Sequence, residues 1–510
     1  MRRKPVNWLI VFLLLLFCVP YIHNLTGWLI HDDEGGYLYQ AWRMSEGEIP
    51  CRDFYSPKEP LFLFTGYIIF KLFGPNVFWL RMFTVVATIL TAYLIFLIGR
   101  RVYSKKIAVL APILYLILPV VYFQARFFRS DAHVVLFSTL GLFLFIKAWQ
   151  DKNRQFFLYS GFFYAIALGY KFGALLGIIA LLTFLIYQAV IERKLVVFLR
   201  PFIPFISGLL VTAATIFLIT RSVSPSFFDC LISHQLRQPL LSPAHILTTL
   251  GDNIRDFLMI NPRQYGLRNT HSWIIICSLP VVIWYLFIVK DLKKIFSFYI
   301  FSVIFVLFSP YPGEIFRYLL YFLPVAVLVF TSIIFYLVDR KRTTVFRIFG
   351  LAVLLFVLVK MFIPGLIKDK AISDAREEGT LALAEYISGH TAKDDYVVAD
   401  YGGVLFYARR KTTPLMAGMS KSAIENGVIT SDKLIKELEG YRVKMILIHK
   451  EGGIVEDLGY YLGNQFGPHH FSSLINSSDG IKFSAYLQSH YQFVTNFNRS
   501  GQIFTVYVRK

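Results

Sequence analysis

Residues 7–40 read NWLIVFLLLLFCVPYIHNLTGWLIHDDEGGYLYQ, an apolar run of membrane-spanning length that ends on three adjacent acids. Arg2, Arg3 and Lys4 precede the run and no small-x-small cleavage site follows it, so it reads as an uncleaved signal anchor. The rest of the chain has the same character. Of its 510 residues, 56% are hydrophobic and only 16% charged, against about 25% charged in soluble domains, and mean hydropathy is +0.56. This is the composition of an integral membrane protein.

Apolar segments near 8–30, 76–99, 107–123, 132–149, 156–169, 172–190, 196–220, 272–290, 295–310, 314–338 and 345–366 predict about 11 transmembrane helices. The stretch PLFLFTGYIIFKLFG at 60–74 is too short to cross comfortably and reads as an amphipathic helix lying in the interface. From about residue 368 the composition becomes soluble. Helical periodicity in EEGTLALAEYIS and SDKLIKELEGY alternates with the β-rich runs DYVVAD, KMILIH, YQFVTNF and QIFTVYVR. The expected fold class is a polytopic α-helical membrane protein with a small C-terminal α/β extracytoplasmic domain. Its transmembrane part is residues 1–367, with an outer loop at 31–75, and its soluble part is residues 368–510.

Net charge is +20, which in a soluble protein would suggest nucleic acid. Here the lysines and arginines fall in short loops such as Arg100–Arg101, Lys105–Lys106, Lys152–Arg154 and Arg193–Lys194, so the charge reports topology and no nucleic-acid partner is expected. The positive-inside rule puts the N-terminus in the cytoplasm of a multi-pass cell-membrane protein, and the acidic loop, the loop 221–271 and the C-terminal domain outside. Cys18, Cys51, Cys230 and Cys277 have no CxxC spacing, so no metal site or disulfide framework is implied. A bridge between Cys51 and Cys230 is left open by their shared outer placement.

That orientation sweeps cations inward and leaves four outer exceptions. They are Arg126 and Arg129 in ARFFRSDAH, Lys171 in GYKFGALL and Arg317 in YPGEIFRYLLYFLP. Each alone reads as snorkelling to lipid phosphate. Together with Asp33, Glu34 and Asp131 at the same expected depth, they read as a substrate site. Cations there suit a phosphate, and a carboxylate suits the proton of an attacking hydroxyl. His234, His469 and His470 lack a second ligand at fixed spacing and read as polar surface. The glycines of ADYGGVLFY lack the GxGxxG pattern of a nucleotide loop.

The order of these elements resembles the GT-C superfamily of integral membrane glycosyltransferases. The branch in question contains protein O-mannosyltransferases and lipid A aminoarabinose transferases. That branch carries an Asp-Glu pair with a Tyr three residues on, matched by Asp33, Glu34 and Tyr37. Its Lys-Pro element before an interfacial helix is matched by Lys58 in SPKEPLF, with Glu59 standing where the family has its middle proline. Asp131 resembles its acid at the fourth span, Lys171 its basic residue between the fifth and sixth, and Arg317 with Tyr318 its late Arg-Tyr pair. The resemblance implies an inverting transferase that moves a sugar from a polyprenyl-phosphate donor to an acceptor hydroxyl of a lipid, glycan or protein. Asp33 would be the base. Glu34 and Asp131 would orient acceptor or sugar, and Lys58, Lys171 and Arg317 would hold the departing phosphate. No cofactor is implied for certain, and a divalent metal is left open. The rival class is a transporter or flippase of a lipid-linked or anionic substrate. Against it stand the absence of inverted repeats and of matching Gly/Pro-broken spans.

Overall fold

The computed structural model describes residues 8–27, 32–236, 243–258, 270–289, 292–308, 318–338, 378–420, 427–450, 479–499 and 502–510. Isolated positions at 344–345, 348, 352, 355, 359, 423–424 and 474 are also described. The first eleven α-helices are α1 Trp8–Ile22, α2 Asp32–Ser45, α3 Pro60–Phe73, α4 Val77–Val102, α5 Lys105–Ile117, α6 Pro119–Ala125, α7 Ser130–Asp151, α8 Arg154–Tyr170, α9 Leu175–Glu192, α10 Leu195–Val223 and α11 Phe227–Leu236. The chain forms two compact units. One comprises Met1–Leu25, Arg81–Ile216 and Leu241–Ile367; the other comprises Thr26–Leu80, Phe217–Leu240 and Lys368–Lys510.

The first unit is helical. Among the described residues, five helices are long and apolar enough to cross a membrane: Val77–Val102, Ser130–Asp151, Phe172–Glu192, Leu195–Val223 and Leu319–Val338. Most of the span expected at 345–366 lies outside the described residues. The straight span expected over 107–123 is instead two helices, α5 and α6, bent by 66°. Proline explains the break. Leu118 is extended (φ −65°, ψ 125°), as a residue before proline prefers, and Pro119 opens α6 where its missing N–H costs nothing. The tight hairpins are capped by their own loop residues. Lys152 ends α7 in the left-handed region (φ 53°) with its N–H on the Ala148 carbonyl, and the Asn153 side chain accepts from Gln155 N to start α8. Helices α8 and α10 cross at two glycines. A Cβ on Gly161 would sit 1.9 Å from the Phe205 carbonyl oxygen, and one on Gly208 would sit 2.0 Å from that of Leu158. Small residues allow this backbone approach, since packing and not the hydrophobic effect joins helices in lipid.

The second unit is built around a four-stranded sheet of order β1-β2-β4-β3, with β1 Val397–Ala399, β2 Met445–Lys450, β3 Tyr491–Arg499 and β4 Gln502–Arg509. β1 pairs parallel to β2 (Val397 opposite Met445), while β2 and β3 each pair antiparallel to β4. The helices Ser431–Gly440 and Gly480–His490 cover it through Leu434, Leu438, Phe483 and Leu487, which join Val398, Ile446 and Ile448 in one core. The four β-rich runs and two helical runs read from the sequence all appear. Residue 368, where the composition changes, is also one edge of this unit.

The unit also contains α2 and α3, which the sequence presented as an outer loop and an interfacial helix. Helix α2 packs on the helix Gly402–Ala408 through paired glycines. A Cβ on Gly35 would meet Tyr401 Cε2 at 2.5 Å and Gly403 N at 2.7 Å, and one on Gly402 would meet Gly36 Cα at 3.1 Å. The GG of ADYGGVLFY is therefore a helix-crossing surface. Polar bonds complete the joint: Gln40 Nε2 donates to the Ala417 carbonyl (3.1 Å), Thr412 N to Tyr39 Oη (2.7 Å), and Arg43 Nη1 to Tyr39 Oη (2.8 Å) and the Thr412 carbonyl (3.0 Å). Arg43 is buried and also pairs with Glu48. The glycines give a sharp test. Gly35→Ala must push backbone aside and is expected to cost about 1–3 kcal/mol in thermal unfolding. Gly36→Ala meets nothing within 4 Å and is expected to be neutral or to stabilise by up to about 1 kcal/mol, the helix-propensity gain. Equal losses in the two variants would contradict this packing.

Candidate active-site residues

In the second unit the acids lie on the first turn of α2. Asp33 is half-buried and Glu34 fully buried, at 0% exposure. Helical spacing puts Asp33 and Tyr37, four residues apart, on one face. Tyr37 carries that face to the next element. Its ring meets Phe62 of α3 edge-on at 4.8 Å, and Lys58 Nζ lies over it, 5.3 Å from the centroid. Tyr37 thus places a cation beside the acid-bearing face, a role the motif spacing alone did not define. Glu59 is the N-cap residue of α3, extended, with Pro60 as the first helical residue. An acid suits that helix terminus.

A neighbour missed by the sequence reading is Tyr55, whose hydroxyl shares a 2.6 Å hydrogen bond with His234 Nδ1 of α11. Burial, and then the charge of Lys58, push the His234 pKa down to about 4, from an ordinary value near 6.5. The unfolded chain then takes up the proton first. The stabilisation held by neutral His234 is complete above about pH 6.5 and falls as pH drops toward about 4. Melting temperature is expected to decline over that window, with a shallower decline in His234→Gln. An unchanged slope in the variant would remove His234 as the cause. Among the described residues no three His, Cys, Asp or Glu side chains could hold a metal together. His469 and His470 lie outside the described residues.

In the first unit the N-terminus of α7 and the C-terminus of α8 form one group. Asp131 is 1% exposed. Its Oδ1 accepts from Lys171 Nζ at 2.8 Å and from Tyr321 Oη at 2.7 Å, and Arg129 Nε stands 4.0 Å from Oδ2. Two cations therefore surround one carboxylate. Burial alone would favour neutral Lys171, but the adjacent Asp131 charge overrides it and holds its pKa well above the usual lysine value. Lys171 caps α8 in extended backbone, and its Nζ lies 5.3 Å from the centroid of the Tyr318 ring. Gly173 brings the following turn against Tyr321, since a Cβ there would lie 2.3 Å from the Tyr321 ring. His133 stacks between Phe83 (4.9 Å) and Tyr170 (5.1 Å) and donates from Nδ1 to the Arg129 carbonyl at 3.1 Å, fixing the turn that carries Arg129 and Asp131.

Arg126 does something different. It is 1% exposed, donates from Nη1 to the Pro20 carbonyl at 3.2 Å, and reaches Tyr122 Oη and the His23 carbonyl. It caps the C-terminal end of α1, where a cation meets the helix dipole. Arg317 lies outside the described residues. Tyr321 was absent from the sequence reading, although its spacing of three from Tyr318 at a helix start puts both on one face.

The chain carries this geometry on a known architecture. Residues 57–222 match the model of the dolichyl-phosphate-mannose-protein mannosyltransferase family. Two structures of ArnT from Cupriavidus metallidurans, one apo and one bound to undecaprenyl phosphate, align at TM-score 0.62 and 12% identity. The apo alignment covers 98% of both chains, and the bound one covers 99% of this chain and 98% of ArnT. The chain shares the fold of ArnT. An oligosaccharyltransferase from Archaeoglobus fulgidus, tethered to an acceptor peptide, aligns over 98% of this chain and 74% of its own length, at TM-score 0.56 and 12% identity. No curated protein matches in sequence. The segment that matches the family model begins just before Lys58 and holds Arg126, Arg129, Asp131 and Lys171. The acids of α2 precede it.

Proposed function

We propose that the protein transfers a sugar from a polyprenyl-phosphate donor to an acceptor hydroxyl on the outer face of the membrane, with inversion at the anomeric carbon. The observation that carries this reading is the Asp131–Lys171–Tyr321 group with Arg129 beside it, whose Arg129, Asp131 and Lys171 lie inside the segment that matches the mannosyltransferase family. Asp131 keeps Lys171 charged and aimed. Lys171 and Arg129 then offer positive charge to a phosphate whose negative charge grows as its bond to the sugar breaks. Tyr318, over Lys171, bounds the same cation.

Asp33 takes the proton from the acceptor hydroxyl as that oxygen attacks the anomeric carbon, and the bond from that carbon to the phosphate oxygen breaks on the opposite side. Glu34 orients the acceptor, and Lys58, held over Tyr37, adds charge for the phosphate. Arg317 is assigned the same task by its place in the sequence. The ArnT structure bound to undecaprenyl phosphate and the oligosaccharyltransferase structure tethered to an acceptor peptide support a lipid-phosphate donor and an acceptor of lipid or peptide class. The lysine and arginine distribution supports a cytoplasmic N-terminus and an outer C-terminal domain.

Membranes containing the protein, incubated with a panel of radiolabelled polyprenyl-phosphate sugars, are expected to consume one of them and release free polyprenyl phosphate. Movement of the intact lipid-linked sugar between leaflets of reconstituted vesicles, without consumption, would replace this reading by transport.

A further inference from the structure

Two thiols that the proposed chemistry does not use converge in the second unit. Cys51 Sγ lies 3.2 Å and Cys230 Sγ 3.9 Å from the same atom, the Ser56 carbonyl oxygen, which brings the two thiols side by side. The segments that bring them together are stitched on either side. Ser224 Oγ donates to the Pro50 carbonyl at 2.8 Å, and Ser226 Oγ to the Cys51 carbonyl at 2.9 Å. Cys51 holds φ 63°, a left-handed conformation that glycine takes without strain and a side chain does not. Its N–H donates to the Phe54 carbonyl at 2.7 Å, closing the turn.

We propose that Cys51 and Cys230 form a disulfide in the native protein, tying the segment that carries Tyr55 and Lys58 to α11 and His234. This rests on the outward placement of the unit given above, because disulfides persist in oxidising compartments. The bond forms by exchange. The Cys230 thiolate attacks one sulfur of a disulfide of the glutathione or thioredoxin-fold dithiol class, releasing one thiol of that reagent. Cys51 then attacks the mixed disulfide, the Cys51–Cys230 bond closes, and the second reagent thiol leaves. Two protons and two electrons pass from the cysteines to the reagent. The neighbouring Cys51 side chain lowers the Cys230 pKa, which favours Cys230 as the attacking sulfur.

Cells making the full chain are quenched with acid, and free thiols are blocked with light N-ethylmaleimide. The protein is then purified and reduced, and the newly released thiols are capped with deuterated N-ethylmaleimide. Peptide mass spectrometry is expected to find the heavy label on Cys51 and Cys230 and the light label on Cys18 and Cys277. Light label on Cys51 or Cys230 in most molecules overturns the proposal. Orientation is read separately, by a membrane-impermeant maleimide on Lys510→Cys in intact cells. Labelled Lys510→Cys with light Cys51 and Cys230 sinks the disulfide and leaves the outward placement standing. Heavy Cys51 and Cys230 with Lys510→Cys silent until lysis sustains the bond and sinks that placement.

Discussion

Asp33→Asn is expected to lower sugar transfer by about 10²–10⁴-fold, the contribution typical of a general base, while leaving the fold intact. Asparagine keeps the size of the side chain and removes its ability to take a proton. Asp33 is half-buried on the first turn of α2 and shares its face with Tyr37, so melting temperature is expected to stay within about 2 °C of wild type, as for a substitution outside the core. Because the base acts as the acceptor attacks, kcat should fall and the KM for donor should change little. Asp32→Asn is the control within the acidic triplet, since the family resemblance assigns no task to Asp32, and it should keep near-normal transfer. Transfer at the wild-type rate by Asp33→Asn would assign the proton to another residue. Glu34→Gln is less clean, because Glu34 is fully buried and a change there alters packing and chemistry together.

The second large effect concerns Asp131 and Lys171. Asp131→Ala leaves a mostly buried ammonium and the Tyr321 hydroxyl without their shared acceptor, and breaking such a pair is expected to cost up to about 3–5 kcal/mol. Lys171→Met should cost less, because Arg129 and Tyr321 still face the carboxylate. The double variant Asp131→Leu/Lys171→Met removes both charges, so much of the stability lost in Asp131→Ala should return. Transfer should not return with it, because the departing phosphate has lost a cation. Stability recovered without activity is the signature of a group with both tasks. Activity recovered in the double variant would make the pair purely structural.

The sequence displayed the parts of this molecule that depend on short-range pattern. Apolar runs gave the long helices, loop lysines and arginines gave a consistent orientation, and alternation gave β1 through β4. What it hid depends on residues far apart in the chain. Nothing near Gly35 marks it as the partner of Gly402, so α2 read as loop and the Gly402–Gly403 pair drew a weak comparison with nucleotide loops. Arg43, Glu48 and Thr412 form one buried network whose members look like ordinary surface residues until the fold joins them. The site residues divide in the same way. Lys171 and Asp131 could be singled out as charges at the ends of spans, but their pairing and the hydroxyl of Tyr321 could not. Arg126 carried the same outer-cation signal as Lys171, and its hydrogen bonds go instead to the backbone at the end of α1. A count of charges at one depth cannot distinguish a cation held for a ligand from one that closes a helix.

The glycine crossing of α2 on Gly402–Ala408 also bears on how the chain can be cut. A truncation after residue 367 looks attractive from composition, since it would keep every apolar segment. It would also strip α2 of the surface against which its glycine face lies, and leave Tyr39, Gln40 and Arg43 without Thr412 and Ala417. Within its unit the helix bearing Asp33 and Glu34 would keep its packing on α3 and the contacts of Gln40 with Ser56 and of Arg43 with Phe54. Swapping the C-terminal segment between relatives therefore requires carrying residues 26–80 along with it. The two pieces, distant in sequence, are one inheritable part.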